Sequence, residues 1–556
     1  MNLDLLIKNG TIVDGTGTPA FKGDLGVKDG VISAVIPASG DNPSKFDGSN
    51  CKRVLDAEGL VVCPGFIDIH SHTDWVLPLK DHPSIVKPLL EQGITTLVGG
   101  NCGFSPAPLV PNSENYDYIM SQLKRTVILS AQQMLDFQWT SMDSFMNYLE
   151  KSGIAMNLAM LTGHGVLRIL LLGNRYSYPG KDKMNEMERI IASSFEDGSY
   201  GLSLGLGYEP GIFVEMRELE DLARLVKKHD RILTVHNKAL SKISGAYPLK
   251  PFDEDHNIKS LGEMIELAEK TGIKIQISHL LFVGSKTWPG CDRALEMIDR
   301  ARERGVDIAF DSFAHKAGNT TIYVVYPAWF LERIPKSFRS TLSRTRLRIE
   351  VFFMVRLLGF GLEDTQLLWG GLPELEKFNG MFFTDIAREM NCSVFDAYLK
   401  ISEMSDGNAT CLYHKYSGDE NDESAYIKVL KHPLNTVETD ALLSTRGVQN
   451  PAAFGTFPRV IQRYHKELKV ISLEEAIAKM TGNSAKRIGL KNRGLLKAGN
   501  WADITIFDYN EIRDNTTPLR TEEKPSGIRH VFINGTEVVT DGNYTGGIKA
   551  GRVLRA

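Results

Sequence analysis

Hydrophobic and polar positions alternate along the first ~60 residues, where LLIKNGTIVDG, GDLGVKDGVISAVI and KRVLDAEGLVVCPG break at Asn-Gly, Asp-Gly or Glu-Gly. That is the pattern of short β-segments joined by tight turns. NRGLLKAGNWADITIFD and GIRHVFINGTEVVTDGNYTGG near the C-terminus have the same texture. The two ends are expected to share one small β-domain, drawn from residues 1–64 and 485–556.

Between them the period changes. A helical pattern ends near a glycine, an apolar strand follows, and a polar residue closes the unit. The closing residues are Cys102, His164, Tyr208, His236, His279 and Asp311, with GFIDIH ahead of them and LNTVETD, ending at Asp440, as the eighth unit. Eight helix-linked strands predict a TIM (β/α)8 barrel over residues 65–484, an α/β fold. The rhythm breaks over about 316–432, which reads as a largely helical insertion after the seventh strand, placed to act as a lid or subdomain.

Composition and charge narrow the function. A net charge of −4 offers no basic field for nucleic acid or an anionic membrane, so the expected partner is a small molecule. MNLDLLIKNGTIVDG lacks the basic and apolar regions of a signal peptide, and VFFMVRLLGFGL is short and interrupted by Arg356. Six scattered cysteines fit a reducing compartment, and a cytoplasmic protein is expected.

The catalytic rim of such a barrel lies at the C-terminal strand ends. His70 and His72 stand two apart, so on a strand both imidazoles face one point. A lone strand-end histidine is more often a hydrogen-bonded core residue, and a lone cysteine a small hydrophobe. Here five separate strands bring the pair His70 and His72, with Cys102, His236, His279 and Asp440, to one rim. Imidazole and thiolate donors suit zinc with one position open to water.

PGFIDIHSHTD, GNCGFSPAP, GLSLGLGYEPG, ISH at 277–279, GTFPRV, KMTGNSAKRIGL and GRVLRA resemble N-acyl-D-amino-acid deacylases of the amidohydrolase superfamily. The resemblance runs nearly end to end and weakens in the insertion. It implies a barrel beside a β-sandwich built by both termini. It further implies one tight zinc held by Cys102, His236 and His279, with His70 and His72 flanking a second metal, weaker or absent, and Asp440 as the proton shuttle. Relatives in the superfamily often carry a carboxylated lysine on the fourth strand; GLSLGLGY has none, which leaves the Cys102 thiolate to bridge. Tyr208 matches a substrate-contacting position.

The substrate shell departs from that family. A His-Pro-Arg expected before GTF, whose arginine would grip a carboxylate, is replaced by Pro451, Ala452 and Ala453. ETDAL stands for Ser-Asp-Gly, DSFAH for Asp-x-Tyr-Pro-Tyr, and His236-Asn237-Lys238 for His-x-Arg. Lys238 and Arg446 are the candidate replacement cations. The resulting expectation is a zinc amidohydrolase cleaving a linear amide with altered specificity. The alternatives are a cyclic-amide hydrolase of the hydantoinase or dihydroorotase kind, and a non-catalytic barrel.

Overall fold

The computed structural model describes residues 2–38, 50–110, 113–120, 129, 133, 137–173, 177–248 and 253–556. Eight parallel strands run in chain order: Phe66–Asp68, Ile94–Gly99, Asn157–Gly163, Gly201–Gly205, Ile232–His236, Lys274–Ile277, Ile308–Ser312 and Asn435–Val437. Most of their side chains are buried on both faces, as a sheet covered by helices requires. The eighth strand closes on the first just past their ends, through a parallel bridge between Ser71 and Ala441. There the Asp440 amide donates to the His70 carbonyl at 3.0 Å, and the His72 amide to the Ala441 carbonyl at 2.8 Å.

Both chain ends do meet in one nine-stranded mixed sheet. Its seam is the antiparallel pairing of Leu60–Pro64 with Ile504–Asp508. Ile7, Leu25, Val62, Ile504 and Phe532 share a core there, so the sheet curls around its own apolar interior. Leu60–Pro64 passes through Gly65 straight into the first barrel strand. A Cβ at Gly65 would sit 2.3 Å from the Thr95 side chain, so only glycine fits where the two units join. The chain's tail crosses over: Val553–Leu554 pairs with Leu158 and Ala159 of the third barrel strand.

The insertion carries the expected helices, among them Thr341–Leu358, Phe383–Glu389 and Val394–Met404. It also holds a three-stranded antiparallel sheet, Ala317–Thr321, Thr365–Trp369 and Thr410–His414. Those strands are five residues each and too short to show a period-2 pattern within so apolar a segment. The helix Ser424–Lys431 belongs to the barrel, since Ala425 and Val429 pack in the same core as Ile298 and Phe310.

His164, a predicted strand-end residue, lies away from the metal-like cluster. It is fully buried with Nε2 2.8 Å from Glu218 Oε1, and Arg168 Nε donates to the same oxygen at 3.1 Å. Glu218→Ala would leave a buried guanidinium charge without its carboxylate and is expected to destabilise the fold by about 3–5 kcal/mol. The exposed Lys227→Ala should stay within about 0.5 kcal/mol. Denaturant midpoints of the two variants test this; equal midpoints would refute the structural role of the Glu218 pair.

Candidate metal centre

Three of the predicted residues share an unusual backbone. Cys102, His279 and Asp440 have φ of 53°, 34° and 50°. Non-glycine residues rarely adopt this left-handed region, and such strain collects at functional sites. Each residue follows a strand that points out of the barrel, and the reversal turns its side chain back over the mouth. The loop carrying Cys102 is braced from the fourth strand: the Ser203 hydroxyl donates to the Gly100 carbonyl and accepts from the Gly103 amide at 3.0 Å. Gly100 approaches so closely that a Cβ would lie 2.0 Å from the Leu161 carbonyl oxygen.

Cys102 Sγ lies 3.2 Å from His70 Nε2, 3.6 Å from His279 Nε2 and 3.7 Å from His236 Nδ1. Asp440 Oδ1 is 3.4 Å from His72 Nε2 and 3.5 Å from His70 Nε2. Zinc bonds of the usual lengths, arranged tetrahedrally, separate neighbouring donors by about 3.5 Å. The donors are thus spaced for a shared ion, and their types suit zinc. Among the described residues, three groups have donor atoms within 4.8 Å of one another: His70–Cys102–His279, His70–His72–Asp440 and His70–Asp311–Glu438. His70 belongs to all three, so the two ligand sets expected from the sequence form one cluster around it.

The electrostatics match the geometry. Burial alone would push the Cys102 thiol up, but the charge of His70 and hydrogen bonds with His236, His279 and His70 hold it well below its usual range. Burial opposes charge on His72, yet Asp440 and Cys102 carry it up to about 10. For Asp440, the penalty of burial is outweighed by the His72 hydrogen bond and by the charges of His70, His279 and His72, which keep it ionised below its ordinary value. The His236 ring is shifted down, by burial first and then by His279. Access is from one side: Asp440 and His72 retain 24% and 16% side-chain exposure, while His70 retains none.

Beneath His70 lie three acids, of which strand-end reasoning picked out Asp311 alone. Asp311 Oδ1 accepts the His279 amide at 2.6 Å and stands 3.6 Å from His70 Nδ1, while its other oxygen accepts from Gln276 at 2.7 Å. Asp68, raised to about 7 by burial, accepts the Thr439 amide at 2.9 Å. Glu438 is fully buried, with no hydrogen-bond partner on either oxygen among the described residues. Burial drives it well above the ordinary carboxylate range, against the pull of His70. Its place two residues before Asp440 was the one available signal, since alternate residues of an extended segment share a face.

The remaining candidates are further out. The Tyr208 hydroxyl donates to the Cys102 carbonyl at 2.7 Å and its ring lies against His236, so it braces the ligand loop. Lys238 is half-buried with its ammonium 5.5 Å from the Tyr247 ring. Arg446 is exposed over Trp369, in a groove of about 650 Å³ between the insertion and the loop after Asp440.

Sulfur, imidazole and carboxylate donors gathered at the open rim of a (β/α)8 barrel make a site for metal-assisted hydrolysis. The chain belongs to the amidohydrolase family, which it matches over residues 53–330 and 446–539. It is 29% identical to N-acyl-D-glutamate deacylase and 27% identical to D-aminoacylase, both from Alcaligenes xylosoxydans xylosoxydans. Those matches span 100% and 99% of this chain, and 96% and 97% of the relatives. The crystal structure of N-acyl-D-glutamate deacylase from Bordetella bronchiseptica, complexed with zinc and a phosphonate inhibitor, is also similar. It superposes with a TM-score of 0.79 at 28% identity, covering 100% of both chains.

Partners that orient metal ligands typically matter 10–100-fold to affinity. Asp311→Ala removes the acceptor of the His279 amide, so its zinc affinity should fall by about that factor while far-UV circular dichroism is unchanged. Competition with a chromogenic chelator reads the affinity; a wild-type value would show that Asp311 does not orient the cluster.

Proposed function

We propose that this chain is a zinc-dependent amidohydrolase that cleaves the linear amide C–N bond of an N-acyl amino acid, with a specificity different from its named relatives. The observation that carries the reading is the convergence of the Cys102 sulfur with three imidazoles at 3.2–3.7 Å. Cys102, His236 and His279 would hold one ion tightly, and His70 and His72 would flank a second, weaker one. A zinc ion bound there supplies Lewis acidity that polarises an amide carbonyl and acidifies water.

Asp440, ionised and on the accessible side of the cluster, takes a proton from the attacking water as its oxygen bonds to the amide carbon. It then gives that proton to the nitrogen as the C–N bond breaks, leaving an amine and a carboxylic acid that ionises to solvent. A cyclic-amide reading has less support, because the fourth strand, Gly201–Gly205, contains no lysine. The six cysteines are unpaired, in keeping with a cytoplasmic enzyme. The division into residues 1–64 with 485–556 and 65–484 is part of the same proposal.

Specificity follows from what surrounds the cluster. Ala453 is buried with its carbonyl bonded to Gln92 at 2.7 Å, so the expected arginine has no counterpart at that place. Lys238, two residues past His236, is the nearest cation in sequence. A carboxylate buried without a partner is costly to bind. Hydrolysis of N-acetyl-D-methionine should therefore be weak. A kcat/KM on the order of 10⁶ M⁻¹s⁻¹ would show that another cation does the work.

The proton-shuttle role has a separate test. Asp440→Asn preserves size and hydrogen bonding, so tight zinc should remain while kcat falls by about 10²–10⁴-fold. Metal analysis and steady-state kinetics on one preparation settle it. A metal-replete variant keeping more than about a tenth of wild-type kcat would move the role to another carboxylate.

A further inference from the structure

Helix Thr341–Leu358 of the insertion is apolar on two opposite sides. Leu347, Val351 and Leu358 point inward and are buried, the first two within the insertion's core. At about 100° per residue, Leu342, Ile349 and Phe353 line the opposite face. They are 81%, 53% and 58% exposed, and Phe352 and Leu357 flank them at 49% and 53%. Five of the twelve exposed large apolar side chains among the described residues thus sit on this single helix, which makes a patch and not scatter.

The patch is set in positive charge. Residues 333–358 contain seven Lys or Arg and one Glu, in a chain whose net charge is −4. The Arg356 guanidinium lies 3.4 Å from the Phe352 ring centroid, and Arg346 lies 4.0 Å from that of Trp329 while pairing with Glu350 at 2.7 Å. Long stems that run along apolar surface with charged heads at its edge are how arginine meets a water–lipid boundary. The whole-chain charge concealed this, because the acidic remainder outweighs the segment.

The helix is docked on the catalytic side of the barrel. The Lys286 amide donates to the Leu358 carbonyl at 3.2 Å, and the Ser285 hydroxyl to the Gly359 carbonyl at 2.9 Å. Both donors lie in the loop that leaves the sixth strand just beyond His279.

We propose that this helix rests in the plane of an anionic lipid surface, with Leu342, Ile349, Phe352, Phe353 and Leu357 entering the headgroup region and the arginines facing lipid phosphates. A basic helix with a wide apolar face is built to lie on a bilayer. It is not built to span one, and no helix among the described residues is long and apolar enough to cross a membrane. A second copy of the chain fits less well as the occupant, because a two-fold contact would set the same basic segment against itself. The proposal is independent of the reaction assigned to the barrel.

Co-sedimentation of the full chain with phosphatidylcholine vesicles, with and without about 30% phosphatidylglycerol, tests it. Binding should need the anionic lipid and weaken steeply with salt. The double variant Ile349→Glu/Phe353→Glu should lose at least about 100-fold in partitioning. Its unfolding midpoint and zinc content should match the wild type, since both side chains are exposed. Ile349→Gln/Phe353→Gln separates lost apolar area from added charge and should also bind at least about 10-fold more weakly. Wild-type protein that ignores anionic vesicles, or variants that bind as well as wild type, would overturn the proposal. So would sedimentation velocity showing a wild-type dimer that the substitutions dissociate, without vesicle binding.

Discussion

The hydrogen bond from the Asp440 amide to the His70 carbonyl does more than join two loops. The first and eighth barrel strands are only three residues each, too short to close the barrel on their own ladder. Closure falls to the segments just beyond them, where Thr439 binds Asp68 and Ser71 pairs with Ala441. Those segments carry His70, His72 and Asp440. Closing the barrel and assembling the ligand cluster are therefore one structural event, and anything that separates the first strand from the eighth takes the site apart.

The cluster concentrates buried charge that would be untenable piecemeal. Around the fully buried His70 stand a thiol held low, a carboxylate held low and a carboxylic acid driven high. Their environments push these values apart, and such divergence marks acid–base and ligand roles. Beside the Asp311 carboxylate, several braces are neutral: Ser203, Gln276, Thr439 and Tyr208 satisfy backbone and carboxylate groups without adding charge. Neutral braces fix the geometry and leave the balance of protons to the ligands.

The barrel was legible because each of its units repeats a strong local signal, an amphipathic helix, a glycine and an apolar strand. Its metal-like residues were legible because strand ends converge at one rim. Glu438, Ser203 and Gln276 were hidden, since their significance depends on which strands are neighbours and not on any local pattern. The insertion's sheet was hidden for another reason. Ala317–Thr321 finds its partner at Thr410–His414, about ninety residues away, and nothing in either stretch announces the pairing. Arg446 shows that nearness along the chain does not fix direction, since this charge close to Asp440 in sequence lies over Trp369.

The tail pairing also sets a schedule for biosynthesis. Val553–Leu554 covers the stretch of the third barrel strand at Leu158 and Ala159, and the neighbouring Arg552–Asn157 hydrogen bond spans 395 positions of sequence. At about 5–20 residues per second, a ribosome needs roughly 20–80 s to supply that partner. Through that interval the strand has one open edge, the kind of surface that recruits other chains. Chaperone protection of residues 157–160 is thus needed until the last residues emerge, after every residue of the catalytic rim has been made.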